Sequence, residues 1–288
     1  MKIIPFDQVD PNLWNQFVDE SPEAWLYHRT EWTELEETQG YQNESFTILS
    51  DKGQPLGIFC VYLSDRGPWW RLWDRHLHTG HCRSGPAFLR GLSEKERKEV
   101  MSFALGYLED LARRAKVNRL EIRLPSLAPT SLPPLRSEIN PLWEYGFVPF
   151  PMYGTSGIAR LQKAITLTSI VHLQGSDEEH LFKDLSDPSQ RAVRKAAGAG
   201  VTCLQGNGMA GLKAFYTTYQ ASYLRSGSAM RPFAFFQEMY ERLSEKGWMK
   251  TFLAFYEEKP IASVLLLCYK DAVTYYACLL YTSDAADE

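Results

Sequence analysis

Three cations stand close together in the stretch SDPSQRAVRKAAGAGV, residues 186–201. At helical spacing, Arg191, Arg194 and Lys195 fall at i, i+3 and i+4 and share one face. Guanidinium and ammonium groups gathered on one face can bind phosphates or carboxylates through charge-assisted hydrogen bonds. The alternative is a charged face that only meets water. These three residues are the first candidates for a site that binds an anionic substrate.

Local signals bound this segment as a short helix. Asp187 is suited to be the N-cap, and Pro188 suits the first helical position. Gly198 or Gly200 ends the helix, because glycine readily adopts the left-handed conformation that follows a last turn. The sequence therefore predicts a helix that is basic on one side and defined at both ends.

Two further groups of residues are candidates for contact with a substrate. Tyr223 and Arg225 lie where a predicted helix ends and the SGSAM loop begins. The alternative for Arg225 is a favourable interaction with the negative end of the helix dipole. Tyr275 and Tyr276 are adjacent in a predicted strand, so they face opposite sides and at most one points into a cleft. We take Tyr276 as the candidate.

The segment HLHTGHC resembles a metal site at first sight. It holds His76, His78, His81 and Cys82. Their spacing matches no closed tetrahedral zinc set, and no second cysteine pair accompanies them. No metal is therefore expected. The chain also lacks a phosphate-binding Gly-Lys-Ser/Thr loop and a Gly-x-Ser-x-Gly elbow, which disfavours a P-loop kinase and a serine hydrolase and leaves the catalytic residues unassigned.

Composition limits the partners and the compartment. The 288 residues carry 31 Lys and Arg against 35 Asp and Glu, a net charge of −4. Because the net charge of the protein is negative, it does not attract a polyanion overall, and DNA binding is not expected. The five cysteines are scattered and odd in number, which favours reduced and mostly buried thiols. Since no apolar run has the length of a signal peptide core or a membrane span, we expect a soluble cytoplasmic protein.

The predicted elements mix helices and strands, as in an α/β protein. Their order in the first part of the chain starts again at about residue 166. Predicted helices cover 11–18, 30–38, 93–115, 176–185, 188–198, 209–224 and 233–246. Predicted strands lie in the hairpin FTILSDKGQPLGIFCVYL, in VNRLEIRLP, ITLTSIVHL and GVTCLQ, and in the run from 250 to 280 with turns at EEKP and YKDA. Loops are expected at 67–88 and 126–141. The hairpin FTILSDKGQPLGIFCVYL is echoed by FLAFYEEKPIASVLLLCY, which suggests a duplicated unit with domains at 1–165 and 166–288.

Several of these residues together resemble a known family. They are Arg191, Arg194, Lys195, Gly200, Val201, Tyr223, Arg225, Gly227, Ile261 and Ala262. In this order they resemble the second domain of the FemABX-type aminoacyltransferases, within the wider Gcn5-related N-acetyltransferase (GNAT) superfamily and its BioF2-like acetyltransferase domains. The part from Trp32 through SGPAF to RLEIRLP is similar to the family's first, degenerate GNAT-like domain. The resemblance implies two tandem GNAT-like domains with mixed, mostly antiparallel sheets flanked by helices.

The resemblance also implies a function and partners. An aminoacyl or acyl group would pass to an amine of a cell-envelope, peptidoglycan-type precursor, with aminoacyl-tRNA or acyl-CoA as co-substrate and no bound cofactor. The acceptor would be an anionic small molecule or a lipid-linked precursor. Trp32 and the loop with Ser84, Gly85 and Pro86 would face the substrate groove, with aromatic packing and a tight turn as the alternative. The alternatives to this function are an acyl-CoA-dependent N-acetyltransferase of a small molecule or polysaccharide precursor, and a non-catalytic GNAT-like binding module.

The last residues differ from what the resemblance leads us to expect. A complete GNAT-like domain continues after the strand VTYYACLL with a helix and a further strand, whereas here the residues are YTSDAADE. We therefore expect the second domain to be incomplete and 281–288 to be non-native. An exposed strand edge and uncovered apolar faces would make this polypeptide poorly soluble or inactive.

Overall fold

The fold is described from a computed structural model. It describes residues 1–65, 75–80, 84–124, 142, 145–147, 171, 173, 175 and 177–280. Outside these ranges lie most of the predicted strand ITLTSIVHL (165–173), the predicted loop at 126–141, the tail 281–288, and the residues His81 and Cys82.

The first half of the chain begins with a four-stranded antiparallel sheet. Its strands are β1 (Lys2–Pro5), β3 (Phe46–Leu49), β4 (Pro55–Phe59) and β7 (Ala87–Phe88), in the order β1-β3-β4-β7. The predicted hairpin is confirmed, because β3 and β4 pair from Phe46 opposite Phe59 to Leu49 opposite Pro55. Its second strand is shorter than expected, since the chain leaves this sheet after Phe59.

After β4 the chain enters a second sheet. It contains β2 (Gln42–Asn43), β5 (Tyr62–Asp65), β6 (Arg75–His78) and β8 (Arg119–Glu121), in the order β2-β5-β6-β8. All neighbours are antiparallel except β6 and β8, which are parallel. The loop predicted over 67–88 is therefore wrong in part. The segment RHLH reads as irregular among its Gly and His neighbours, but it forms backbone hydrogen bonds to strands on both sides.

In the described part of the first half, three helices accompany these sheets, and two of them begin at a capping residue. Helix α1 (Pro11–Glu20) starts at Asp10, whose carboxylate accepts from the backbone N–H of Asn12 at 2.8 Å. Helix α2 (Thr30–Glu37) follows a short 3₁₀ turn at Leu26–His28. Helix α3 (Glu94–Arg114) is capped by Ser93 and Glu96, which bond to each other's backbone N–H groups as predicted.

The second half is a four-stranded antiparallel sheet with four helices. Its strands are β9 (Thr202–Gly206), β10 (Met249–Tyr256), β11 (Lys259–Tyr269) and β12 (Ala272–Leu280), in the order β12-β11-β10-β9. The helices are α4 (Glu178–Lys183), α5 (Asp187–Gly198), α6 (Gly208–Ser226) and α7 (Phe233–Leu243). The two turns predicted at EEKP and YKDA are confirmed. Both hairpins of the internal echo, β3–β4 and β10–β11, are antiparallel pairs.

One hydrophobic core joins the two halves. It combines side chains of the segment from α1 to α2, such as Trp14 and Trp32, with side chains of α6, α7 and the last sheet, such as Phe215 and Leu265. A separate core lies between α3 and the first two sheets, around Phe46 and Leu108. Because the shared core is extensive and apolar, the halves are held as one unit rather than as two loosely linked domains.

The predicted fold class is confirmed: mixed, mostly antiparallel sheets are flanked by helices. The expected burial of the cysteines holds for Cys60 but not for Cys203, which is exposed because β9 is exposed along most of its length. Asp187 was predicted as the N-cap of the basic helix. The N-cap is Ser186 instead, and Asp187 is already helical, since Pro188 fits the second position as well as the first.

Candidate functional site

Two of the predicted site residues meet where α2 of the first half lies against β12 of the second half. We call this contact region the seam. Trp32 comes from α2 and Tyr276 from β12, and their ring centroids lie 6.1 Å apart with planes at 67°. Such an edge-to-face arrangement is a favoured aromatic contact. The residues are distant in sequence, so only the packing of β12 and its sheet near α2 places them side by side.

The indole of Trp32 is fixed from several directions. Its N–H donates to the Glu36 carboxylate at 3.2 Å, one helical turn further along α2. The Tyr27 ring lies 4.8 Å away on another side. Trp32 is 1% exposed, so the expectation that it faces a groove is corrected: the indole packs in the seam and supports Tyr276 from behind. This is the aromatic-packing alternative, and shape complementarity with Tyr27 and Tyr276 is its physical reason.

Tyr276 occupies an irregular position in β12. Leu265 pairs with Ala277 and Leu266 pairs with Tyr275, so Tyr276 is the extra residue of a β-bulge. A bulge turns a side chain away from the regular alternation and is frequent beside active sites. Tyr275 is 61% exposed on the opposite face of the sheet, whereas Tyr276 is partly buried and packs on the shared core. The structure thus selects Tyr276 as the member of the pair that faces the seam.

Residues 84–86 form a buried loop of the first half, which we call the wall. His28 Nε2 donates to the Gly85 carbonyl at 2.7 Å, and His28 Nδ1 accepts from the backbone N–H of Trp25 at 3.0 Å. Burial lowers the pKa of His28 to about 4, so the imidazole is neutral and its proton is on Nε2, because the Gly85 carbonyl can only accept. Gly85 is itself buried. Its expected contact with substrate is corrected in the same way as that of Trp32: it holds the wall in place.

Gly80 allows this wall to approach α2 closely. Its φ is +71°, in the left-handed region that favours glycine. A Cβ at this position would lie 3.2 Å from Glu36 Oε1 and 3.2 Å from the Tyr62 ring. Ser84 closes the same turn by donating to the Thr79 carbonyl at 2.7 Å. A small residue is therefore required for the loop to pack over the Glu36 carboxylate.

The three cations of α5 are exposed and stand apart from the seam. Arg194 lies 5.2 Å over the Phe182 ring and donates to Gln190 at 3.4 Å. Among the residues that the structure describes, neither Arg191, Arg194 nor Lys195 forms an ion pair with Asp or Glu. The helix ends as predicted, because Gly200 has a φ of +88° just beyond the C-cap. The shared basic face is available to an anion, although the structure brings no other predicted site residue next to it.

Tyr223 and Arg225 end helix α6 beside a stack of tyrosines. The Tyr223 ring lies 4.2 Å from that of Tyr219, and Gly227 closes the helix in the left-handed conformation with a φ of +64°. The Tyr219 hydroxyl accepts from the backbone N–H of Arg231 at 3.0 Å, and burial raises the pKa of Tyr219 to about 12. Arg225 is exposed near the following loop. Tyr223 is therefore held by aromatic packing on one face.

Arg231 is a residue that sequence reasoning missed. Its backbone carbonyl accepts from the Tyr216 hydroxyl at 3.1 Å, and its guanidinium donates to the Gln39 amide oxygen at 3.1 Å. The guanidinium also lies 4.2 Å over the Phe235 ring. These contacts tie the loop after α6 to the end of α2. The sequence signal for Arg231 was its position directly before a proline at the start of a helix. The sequence does not show that the guanidinium binds Gln39 in the other half.

The described residues hold no group of three His, Cys, Asp or Glu side chains able to bind a metal ion. Within the same ranges, no helix combines the length and the apolar character needed to cross a bilayer. The arrangement that remains is an aromatic seam, a bulged strand and a basic helix. Of the described strands, β12 is at one end of its sheet, so none of them pairs with the backbone N–H and C=O groups on its outer side.

Comparison with known proteins gives matches of two kinds, to a family model and to solved structures. Residues 189–287 match the model of a family described as an acetyltransferase (GNAT) domain. The fold is similar to that in a crystal structure of FemX, with a TM-score of 0.59 and 13% identity, covering 99% of this chain and 81% of the FemX chain. At this identity the similarity concerns the fold. A comparison with curated proteins finds no match.

Proposed function

We propose, from the premise that residues 189–287 carry a GNAT-type acetyltransferase domain, that this chain moves an aminoacyl or acyl group to an amine of a cell-envelope, peptidoglycan-type precursor. The domain match is the observation that carries the acyl-transfer part. The likeness of nearly the whole chain to the FemX fold supports the choice of the aminoacyl branch. The residues that we propose for substrate binding are Arg191, Arg194, Lys195, Tyr223, Arg225 and Tyr276.

The proposed reaction is direct transfer. The lone pair of the acceptor amine attacks the activated carbonyl, a new C–N bond forms, and the ester or thioester bond breaks. The amine loses a proton, and the donor's hydroxyl or thiol leaves after taking up one. Such chemistry depends on bringing two reactants together, on a route for the proton and on donors for the oxyanion. It requires neither a bound metal nor a covalent enzyme intermediate. The catalytic base stays unassigned.

We place the acyl donor along the edge that β12 forms among the described strands. An extended donor can bond to the backbone of such an edge, as peptides do when they add to a sheet. The bulge at Tyr276 interrupts the regular ladder at this point and turns the tyrosine towards Trp32. The reacting carbonyl would then lie between the bulge and the wall formed by the first half.

The basic face of α5 supports an anionic partner. Nucleotide-linked and lipid-linked precursors carry phosphates, and so does aminoacyl-tRNA. Three exposed cations without acidic partners in the described ranges suit phosphate oxygens. The net charge of −4 confines this attraction to a local patch, and DNA is not among the proposed partners.

An acyl-CoA-dependent N-acetyltransferase of a small molecule or polysaccharide precursor is the second candidate. The description of the matched family as an acetyltransferase domain favours it. Both donors are cytoplasmic molecules, and a cytoplasmic location is part of the proposal. The division into domains at 1–165 and 166–288 also stays a prediction, because the boundary lies outside the described residues.

The test offers both donors to one preparation of the chain. A muropeptide linked to UDP and a panel of amino sugars serve as acceptors, with aminoacyl-tRNA or acetyl-CoA as donor, and mass spectrometry detects the added group. Aminoacyl transfer to the muropeptide is the expected result. Acetyl transfer to an amino sugar instead would support the second candidate. Binding of the muropeptide without transfer from either donor would favour a non-catalytic binding module.

A further inference from the structure

Helix α1 ends with a backbone carbonyl that the residues directly following the helix cannot satisfy. Ser21, the C-cap, is extended with φ −72° and ψ +126°, as expected for a residue that precedes a proline. In a continuing helix the Val18 carbonyl would accept from the N–H of residue 22, but residue 22 is Pro and has no N–H. A donor from elsewhere is needed at this end of the helix.

Lys270 of the second half supplies that donor. Its Nζ lies 2.6 Å from the Val18 carbonyl oxygen, 2.7 Å from that of Ser21 and 2.9 Å from that of Ala24. An ammonium has three N–H donors, and here each has a carbonyl acceptor. The positive charge also stands at the negative end of the α1 dipole, where a cation is stabilised. The second half therefore caps a helix of the first half.

The backbone at Lys270 indicates that the side chain has a role of its own. Lys270 begins the two-residue turn between β11 and β12 and has a φ of +52°. Glycine or asparagine is the usual residue in this left-handed conformation, which costs other residues about 1 kcal/mol. The chain has a lysine at a position where the turn itself favours glycine. The hydrogen bonds to α1 offset that cost.

The same turn leads directly into the strand that carries Tyr276. Tyr269 pairs with Ala272 across the turn, and the Tyr269 carbonyl accepts from the Trp25 indole N–H at 3.2 Å. Strand β12 then runs to its bulge, where Tyr276 meets Trp32. The strand thus meets the first half both next to the turn at Lys270 and at the bulge at Tyr276.

We propose that Lys270 is a positioning residue, which caps α1 and thereby holds β12 and its bulge in register with the first half. The ammonium does not touch the reacting groups. Its effect on transfer rests on the function proposed above, because β12 matters for catalysis only if it borders the acyl-transfer site. Its effect on the attachment of β12 does not depend on that function.

Hydrogen exchange tests the attachment without any substrate. Lys270→Met removes the donors and keeps the length of the side chain, whereas Lys270→Gly removes them and also relieves the left-handed backbone. Lys116→Met is the matched control, because Lys116 has a φ of +53° and is exposed. We expect amides at the end of α1 and in residues 272–276 to exchange at least about tenfold faster in both Lys270 variants, since hydrogen bonds to charged groups are worth more than that factor.

The outcomes separate the two proposals. Faster exchange confined to residues 269–272, or wild-type exchange in Lys270→Gly, would overturn the positioning role whether or not the protein is an enzyme. Faster exchange throughout α3 would overturn it too, because the effect would then be general unfolding.

If exchange changes as expected and transfer is measurable, kcat should fall at least about tenfold with little change in the acceptor KM. An unchanged kcat would restrict Lys270 to holding the strand, and absence of transfer by the wild-type chain would reject the proposed function alone.

Discussion

The ring of Trp32 in α2 lies 6.1 Å from the ring of Tyr276 in β12, and this contact defines where the two halves of the chain meet. Trp32 is buried and cannot move away, since Glu36 holds its indole N–H and Tyr27 packs on its ring. Tyr276 therefore has a fixed support on one side, while the other side of its strand is an edge of the described sheet.

The first prediction concerns the bulge. Tyr276→Ala should lower kcat/KM by about tenfold to a hundredfold and destabilise the fold by about 2 kcal/mol, because it removes a partly buried ring from the seam. Tyr275→Ala is the matched control: its side chain is 61% exposed on the other face and both quantities should stay at wild-type values. Steady-state kinetics and urea unfolding measure the two effects. Equal kinetics for the two variants would remove Tyr276 from the site.

Much of this architecture was predictable because its signals are local. Ser93 and Glu96 define the start of α3, Gly200 ends the basic helix, and the hairpins follow from alternating apolar residues around polar turns. These features depend on residues a few positions apart. Short-range chemistry was enough for them.

The seam and its supports were not predictable, because each depends on pairing across the chain. Strand β6 forms only because β5 and β8 lie on its two sides, and its own residues give no alternation to recognise. The bulge at Tyr276 is visible only in the register of β11 with β12. The hydrogen bonds from Lys270 to the end of α1 also depend on both halves being in place.

The second prediction is a loss of stability in acid that arises from His28. Burial lowers its pKa from the ordinary 6.5 to about 4, so the unfolded chain binds a proton between these values that the folded chain does not. Stability from this group is complete above pH 6.5 and decreases by about 3 kcal/mol as the pH falls to 4. Urea unfolding of wild type and His28→Gln as a function of pH should show a shallower slope for the variant. An NMR titration of His28 with a midpoint between pH 6 and 7 would contradict this account.

The third prediction tests the basic face of α5. Replacing Arg191, Arg194 and Lys195 together with Ala should raise KM for the anionic substrate by about tenfold to a hundredfold, since each exposed charge contributes up to about 1 kcal/mol. The melting temperature should stay the same, because none of the three is buried. Raising the salt concentration should weaken wild-type binding and have less effect on the variant.

A control with the same change in net charge separates a local site from a general field. Arg113, Arg114 and Lys116 are exposed at the end of α3, and their joint replacement with Ala also removes three positive charges. This control should leave KM unchanged. Equal increases in KM for both triple variants would mean that net charge, and not the α5 face, attracts the substrate.

The last prediction concerns the packing of α6 on β9, the outer strand of the sheet β12-β11-β10-β9. A Cβ added to Gly211 would lie 2.5 Å from the backbone carbonyl carbon of Gly206, which is closer than Cβ atoms approach other atoms in proteins. Because the neighbouring atoms belong to the backbone, they cannot move aside without shifting α6 or β9. Gly211→Ala should therefore destabilise the fold by about 2–3 kcal/mol through overpacking. Gly106→Ala in α3 is the matched control, because a Cβ there meets nothing within 4 Å and alanine favours a helix. It should stabilise the protein by up to about 1 kcal/mol, as measured by urea unfolding. If Gly211→Ala behaved like the control, α6 and β9 would have to lie further apart than this structure places them, and the register of β10 to β12 behind them would change as well.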